Sequence, residues 1–170
     1  MLYHSTRSRD LRADSAQAVL EGLAPDGGLY MPEAIPDFDW KACLEGDSLS
    51  MATHILSALL PDIPDMPELV KKAYTGKFET EDLTPTVPVG DFGVLELFRG
   101  PTSAFKDVAL SMLPQLLTAA KTAKGMKEDI LILTATSGDT GKAALEGFHD
   151  VEGVRICVQW SRDAGSSSCC

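Results

Sequence analysis

The stretch Ile130-Leu131-Ile132-Leu133-Thr134-Ala135-Thr136-Ser137-Gly138-Asp139-Thr140-Gly141-Lys142 reads as a strand, a turn and the start of a helix in one run. Four consecutive apolar residues lead into a turn of glycines and hydroxyls, and Ala143, Ala144 and Leu145 continue it as a helix. Because the apolar residues are continuous rather than alternating, the run predicts a parallel strand buried on both faces. Working outward, Val94 to Phe98 and Val154 to Trp160 are two further apolar runs. Between the first two runs, Ala109, Met112, Leu113, Leu116, Leu117 and Ala120 recur at helical spacing, with Gly125 as C-cap and Pro114 as a kink. Residues 94 to 160 therefore read as β-α-β-α-β, an incomplete parallel layer of an α/β protein.

Upstream the pattern is helical. Asp14 followed three residues later by Gln17 has the spacing of a capping box and predicts a helix through Ala18, Val19, Leu20 and Leu23. Pro25-Asp26-Gly27-Gly28 reads as a tight turn leading into an extended Leu29-Tyr30-Met31. A second helix is expected after Ser48, closed by Pro61, and a third from Pro67 to a stop at Gly76. Pro85, Pro88, Gly90 and Gly93 mark a change of architecture. The expected organisation is a helical amino-terminal domain over residues 1–92, a partial α/β domain over 93–160, and a small, polar, disordered tail over 161–170.

The 170 residues are 44% hydrophobic and 24% charged, enough to bury a core, and the formal net charge of -10 argues against broad affinity for nucleic acid or an anionic membrane. No apolar run approaches the roughly 20 residues of a membrane span, and the start lacks the apolar core of a signal peptide. A cytoplasmic protein is the expectation. Cys43, Cys157, Cys169 and Cys170 form no CxxC pair, so neither a zinc site nor a disulfide framework is expected.

In open parallel sheets, ligands bind beyond the carboxyl ends of the strands, so the two strand-to-helix turns carry the chemical information. The first, Arg99-Gly100-Pro101-Thr102-Ser103-Ala104-Phe105-Lys106-Asp107, sets Lys106 near the start of the long helix. There the helix dipole disfavours an ammonium and favours the neutral amine that attacks carbonyls. The same position also suits a solvated first-turn lysine paired with Asp107. The second turn, Thr136 to Gly141, resembles an anion cradle, and equally a glycine-containing connection with Asp139 or Thr140 as N-cap. Gly141-Lys142 is not a P-loop, since Thr136 and Ala143 stand where that motif needs glycine and a hydroxyl residue.

Together these segments resemble the threonine synthases whose lysine motif reads HGPTxAFKD and whose following loop reads TSGDTG. Tyr3, Ser5-Thr6-Arg7 and the run Gly22 to Pro32 are also similar to that family. The resemblance implies the tryptophan-synthase-β fold type and pyridoxal 5'-phosphate (PLP) as cofactor. The implied reaction converts O-phospho-L-homoserine and water to L-threonine and phosphate. Lys106 is then similar to the lysine that holds PLP, with Phe105 and Asp139 beside the cofactor, and Ser137, Gly138, Asp139 and Thr140 look like the loop that meets the substrate. No metal is implied. Arg99 stands where the family has histidine. The family's glycine-rich loop for the PLP phosphate has no counterpart in these 170 residues, so the chain alone is expected to show no turnover. Two alternatives stay open: a related phospho-lyase giving 2-oxobutyrate, and a non-catalytic interaction module. An unpaired strand edge in a partial sheet would favour a homo-oligomer.

Overall fold

The computed structural model describes residues 1–136, 138–161 and 167–169. The chain divides into two compact units, one formed by Met1–Lys71 with Leu116–Lys127, the other by Lys72–Gln115 with Glu128–Cys170.

The first unit carries a small antiparallel sheet that the sequence reading did not anticipate. Strand β1 (Leu2–Ser5) lies between β2 (Arg12–Asp14) and β3 (Tyr30–Pro32). Strands of three or four residues are too short for a period-two signal, which is why only the segment around Tyr30 reads as extended. Tyr3, Ser5 and Ala13 point inward and are buried, while His4 and its cross-strand partner Arg12 lie on the outer face. Helix α1 (Ser15–Glu21) begins as the capping spacing predicts, with the Asp14 carboxylate accepting the Gln17 N–H at 2.8 Å. The reciprocal half of the box is absent, because the Gln17 side chain donates along the helix to Glu21 instead.

Helix α2 (Trp40–Glu45), capped by Asp39, was not foreseen. Helices α3 (Ser48–Leu59) and α4 (Met66–Tyr74) lie where the breakers Pro61 and Gly76 bound them. Asp47 caps α3 through the Ser50 N–H, and Asp62 accepts from both the N–H and the hydroxyl of Ser15.

In the second unit the fold class is α/β, but the first predicted strand has a different partner. Strand β5 (Phe92–Leu95) pairs antiparallel with β4 (Thr86–Val89) in a hairpin of its own and is not part of the parallel layer. The turn residue Gly90, at a φ of 58°, makes the hairpin. Long helix α5 (Asp107–Ala123) leads to β6 (Ile130–Thr136), then α6 (Asp139–Phe148) and β7 (Val154–Ser161); β6 and β7 pair in parallel over seven residues. Within the stretch expected to be a disordered tail, Ser167–Cys169 form a short strand β8, antiparallel to the end of β7. Residues 162–166 and 170 lie outside the described residues.

The buried face of α5 is also displaced from the expected one. Met112, Leu116, Leu117 and Ala120 are buried, but so are Ser111, Pro114 and Gln115, while Ala109 and Leu113 face outward. Pro114 lacks an N–H and cannot donate to the Leu110 carbonyl one turn back. At that carbonyl α6 crosses closest: a Cβ on Gly147 would sit 2.1 Å from the Leu110 oxygen, so only glycine fits. The expectation that β6 is buried on both faces also fails, since Leu131 and Leu133 are 58% and 73% exposed.

Candidate active site

The loop 99–107 takes its shape from a buried carboxylate. Asp107, 2% exposed, accepts the Thr102 N–H at 2.8 Å and the Thr102 hydroxyl at 2.5 Å. Gly100 packs directly over Asp107, where an added Cβ would come within 2.5 Å of the carboxylate side chain. Asp107 is therefore committed inward, to the loop, rather than to an ion pair with Lys106. Tyr74 supports the next turn by donating its hydroxyl to the Val108 carbonyl at 3.0 Å, and burial pushes that phenol up to about 12.

Lys106, half-buried, extends from this loop to the first turn of α6, where its Nζ hydrogen-bonds the Thr140 hydroxyl. The Nζ also lies 5.4 Å from the centre of the Phe105 ring, within cation–π range. Among the described residues Lys106 has no carboxylate partner. Phe105 itself is 63% exposed.

The opposing turn brings Gly138, Asp139 and Thr140 together. Gly138 is the N-cap of α6 and carries no side chain to cap it, so the positive end of the helix faces this turn without a competing side-chain acceptor from the cap residue. Ser137, expected to belong to the same loop, lies outside the described residues. A groove of about 420 Å³ opens beside the turn, lined by Pro101, Thr102, Gly138, Asp139, Lys142, Leu145, Glu146 and His149. Lys106 is not part of its lining.

Arg99 does not reach toward Lys106. Its guanidinium bridges Glu79 at 2.8 Å and Glu96 at 2.6 Å and lies over the Phe98 ring, and the hydrogen bond it donates to Glu79, reinforced by the one to Glu96, holds its pKa above the usual arginine value. Sequence reasoning named Lys106 and the Ser-Gly-Asp-Thr turn but assigned nothing to Thr102, and its alternative pairing of Lys106 with Asp107 is not found. The spacing of Thr102 and Asp107, five positions apart just after Gly100-Pro101, was the available signal. Among the described residues no group of three or more His, Cys, Asp or Glu could hold a metal ion, and no helix is long and apolar enough to cross a membrane.

A primary amine offered beside a helix amino terminus on an α/β scaffold defines the class of site: one that can hold a carbonyl compound and an anionic group together. The family model described as "Threonine synthase N terminus" matches residues 2–74. The threonine synthase of Methylobacillus glycogenes is 39% identical over 92% of this chain, and that of Saccharomyces cerevisiae 38% identical over 92%. The solved structure of PLP-bound threonine synthase from Brucella melitensis superposes with a TM-score of 0.84 at 36% identity, covering 93% of this chain. The chain spans about a third of the length of these relatives: 35% and 34% of the two sequences and 35% of the solved chain. The chain is similar to the amino-terminal portion of the threonine synthases.

Proposed function

We propose that this chain carries the lysine side of a threonine synthase active site, which converts O-phospho-L-homoserine and water to L-threonine and phosphate in the cytoplasm. The observation that carries the reading is the Lys106 amine, free of carboxylates among the described residues and held at the Thr140 hydroxyl on the turn that opens α6. That donor set fits the aldehyde end of PLP: a half-buried amine, an aromatic ring beside it and a helix amino terminus for an anionic group. When bound, PLP supplies the electron sink for carbanions formed as phosphate leaves.

The chain's own residues have separable tasks. Lys106 holds the cofactor and moves protons at Nζ, so that one group serves both as anchor and as general base and acid. Thr140 orients that nitrogen through Oγ1. Phe105 and Asp139 would help to hold the cofactor. Gly138, Asp139 and Thr140 would receive the substrate carboxylate with backbone N–H groups and a hydroxyl at the positive end of α6, and the family resemblance assigns Ser137 the same task.

Two experiments test this. The purified chain is incubated with PLP, reduced with borohydride and mapped by peptide mass spectrometry. A single dominant adduct on Lys106, abolished in Lys106→Ala, is expected; an adduct spread evenly over surface lysines would refute the assignment. Next, residues 2–160 replace the matching portion of the Saccharomyces cerevisiae enzyme. The chimera is expected to release threonine and phosphate from O-phospho-L-homoserine, whereas a folded, PLP-loaded chimera that yields 2-oxobutyrate points to the phospho-lyase chemistry.

A further inference from the structure

Every polar group of Thr102 is engaged, and each engagement leads toward Lys106. Its N–H and its hydroxyl both go to Asp107, the residue that follows Lys106. Its carbonyl accepts from the Lys142 Nζ at 3.1 Å. Lys142 stands two residues after Thr140 on α6, and Thr140 is the partner of Lys106. The contacts close a ring: Lys106 to Thr140, two residues along α6 to Lys142, across to Thr102, and back through Asp107 to Lys106. Thr102 is 7% exposed and Asp107 2%, so neither can exchange its partner for water without opening the loop.

We propose that Asp107 and Lys142 are positioning residues for Lys106: Asp107 fixes the loop that presents the amine, and Lys142 ties that loop to the helix that receives it. The proposal rests on the reading of Lys106 as the cofactor-holding amine. The two ties are chemically distinct. Asp107 accepts two hydrogen bonds at once, one on each carboxylate oxygen, and an alanine in its place would leave both Thr102 donors without that partner. Lys142 needs only to supply a cationic donor to a carbonyl, so arginine can substitute for it. A lysine amine on a long, flexible stem samples many rotamers. Tying the loop at both sides of Thr102 limits where that stem can start, and so keeps Nζ at Thr140.

The test uses the chain itself and needs no turnover. Competitive labelling with acetic anhydride reads the reactivity of Lys106 relative to Lys71, a surface lysine in the same sample. In Asp107→Ala and in Lys142→Met, Lys106 is expected to be released toward solvent and to react about fivefold faster, the population change expected from losing one net hydrogen bond. Lys142→Arg is expected to restore the parent value. Unchanged Lys106 labelling in Lys142→Met, or failure of Lys142→Arg to restore it, overturns the proposal. Should Asp107→Ala fail to fold, Lys142→Met decides alone, since Lys142 is exposed and its truncation opens no cavity. A ring that behaves as expected in a chain that never takes PLP on Lys106 would refute the function proposed above and leave the positioning of the amine intact.

Discussion

Each unit of the molecule contains a sheet with one covered face, and the two sheets fill the other face differently. In β2-β1-β3 the outer face is mixed, with His4 and Arg12 beside the partly exposed Leu2 and Met31. In the parallel pair β6-β7 the outer positions of β6 are Leu131 and Leu133. An antiparallel sheet commonly has one solvated face and alternates accordingly, whereas parallel strands are apolar on both sides because both sides are normally covered. The sequence of β6 is therefore written for a second layer, and its exposed leucines express strand type rather than poor folding. The exposed Phe92, Leu95 and Phe98 in and after the β4-β5 hairpin add to this apolar surface of the same unit. The antiparallel sheet intersperses its exposed Leu2 and Met31 with polar His4 and Arg12.

The largest break in this contrast should come from the covered side of the second unit. Gly147→Val would drive a side chain into the Leu110 carbonyl, which is backbone and cannot swing away. The expected loss is about 3 kcal/mol of stability, measured by urea unfolding. A loss near zero would show that α6 and α5 do not cross as closely as described. In the first unit, Val70 is fully buried, and Val70→Ala should cost about 2 kcal/mol through lost burial and the cavity left behind. A much smaller cost would mean that this unit's core is looser than the described packing.

What the sequence made legible follows the same division. The long, strongly patterned segments declared themselves: α3, α4, α5, β6, α6 and β7 lie where periodicity and breakers set them. The Asp14–Gln17 spacing marked a helix start because an N-cap is a local hydrogen bond. The antiparallel sheet was hidden, since its pairings join residues up to about thirty positions apart through strands of three or four residues, and no local signal records such a partner. Val94 to Phe98 misled for a related reason. Its apolar character fits a buried parallel strand, but the nearby Gly90 turn pairs it with the segment just before it, and local closure wins over a distant partner. At the site, residue types pointed to Lys106 and the Ser-Gly-Asp-Thr turn, while the contact of Lys106 with Thr140 spans 34 residues and needed the fold. Asp107 was visible as a charge beside a lysine, and its inward commitment to Thr102 was not.

The smallest effect should come from the uncovered face, and it sharpens the comparison most. Leu133 is 73% exposed, so Leu133→Ser removes little burial and should change stability by no more than about 0.5 kcal/mol, against about 2 kcal/mol for Val70→Ala. The same substitution removes part of an exposed apolar patch and should lower self-association, measured by sedimentation velocity across a concentration series. The two readouts separate two explanations of that leucine. If it only completes a strand pattern with nothing placed over it, stability is unmoved and association falls. If stability falls by as much as for Val70, then Leu133 is covered in solution by another part of the chain or by a second copy, and the contrast between the two sheets disappears.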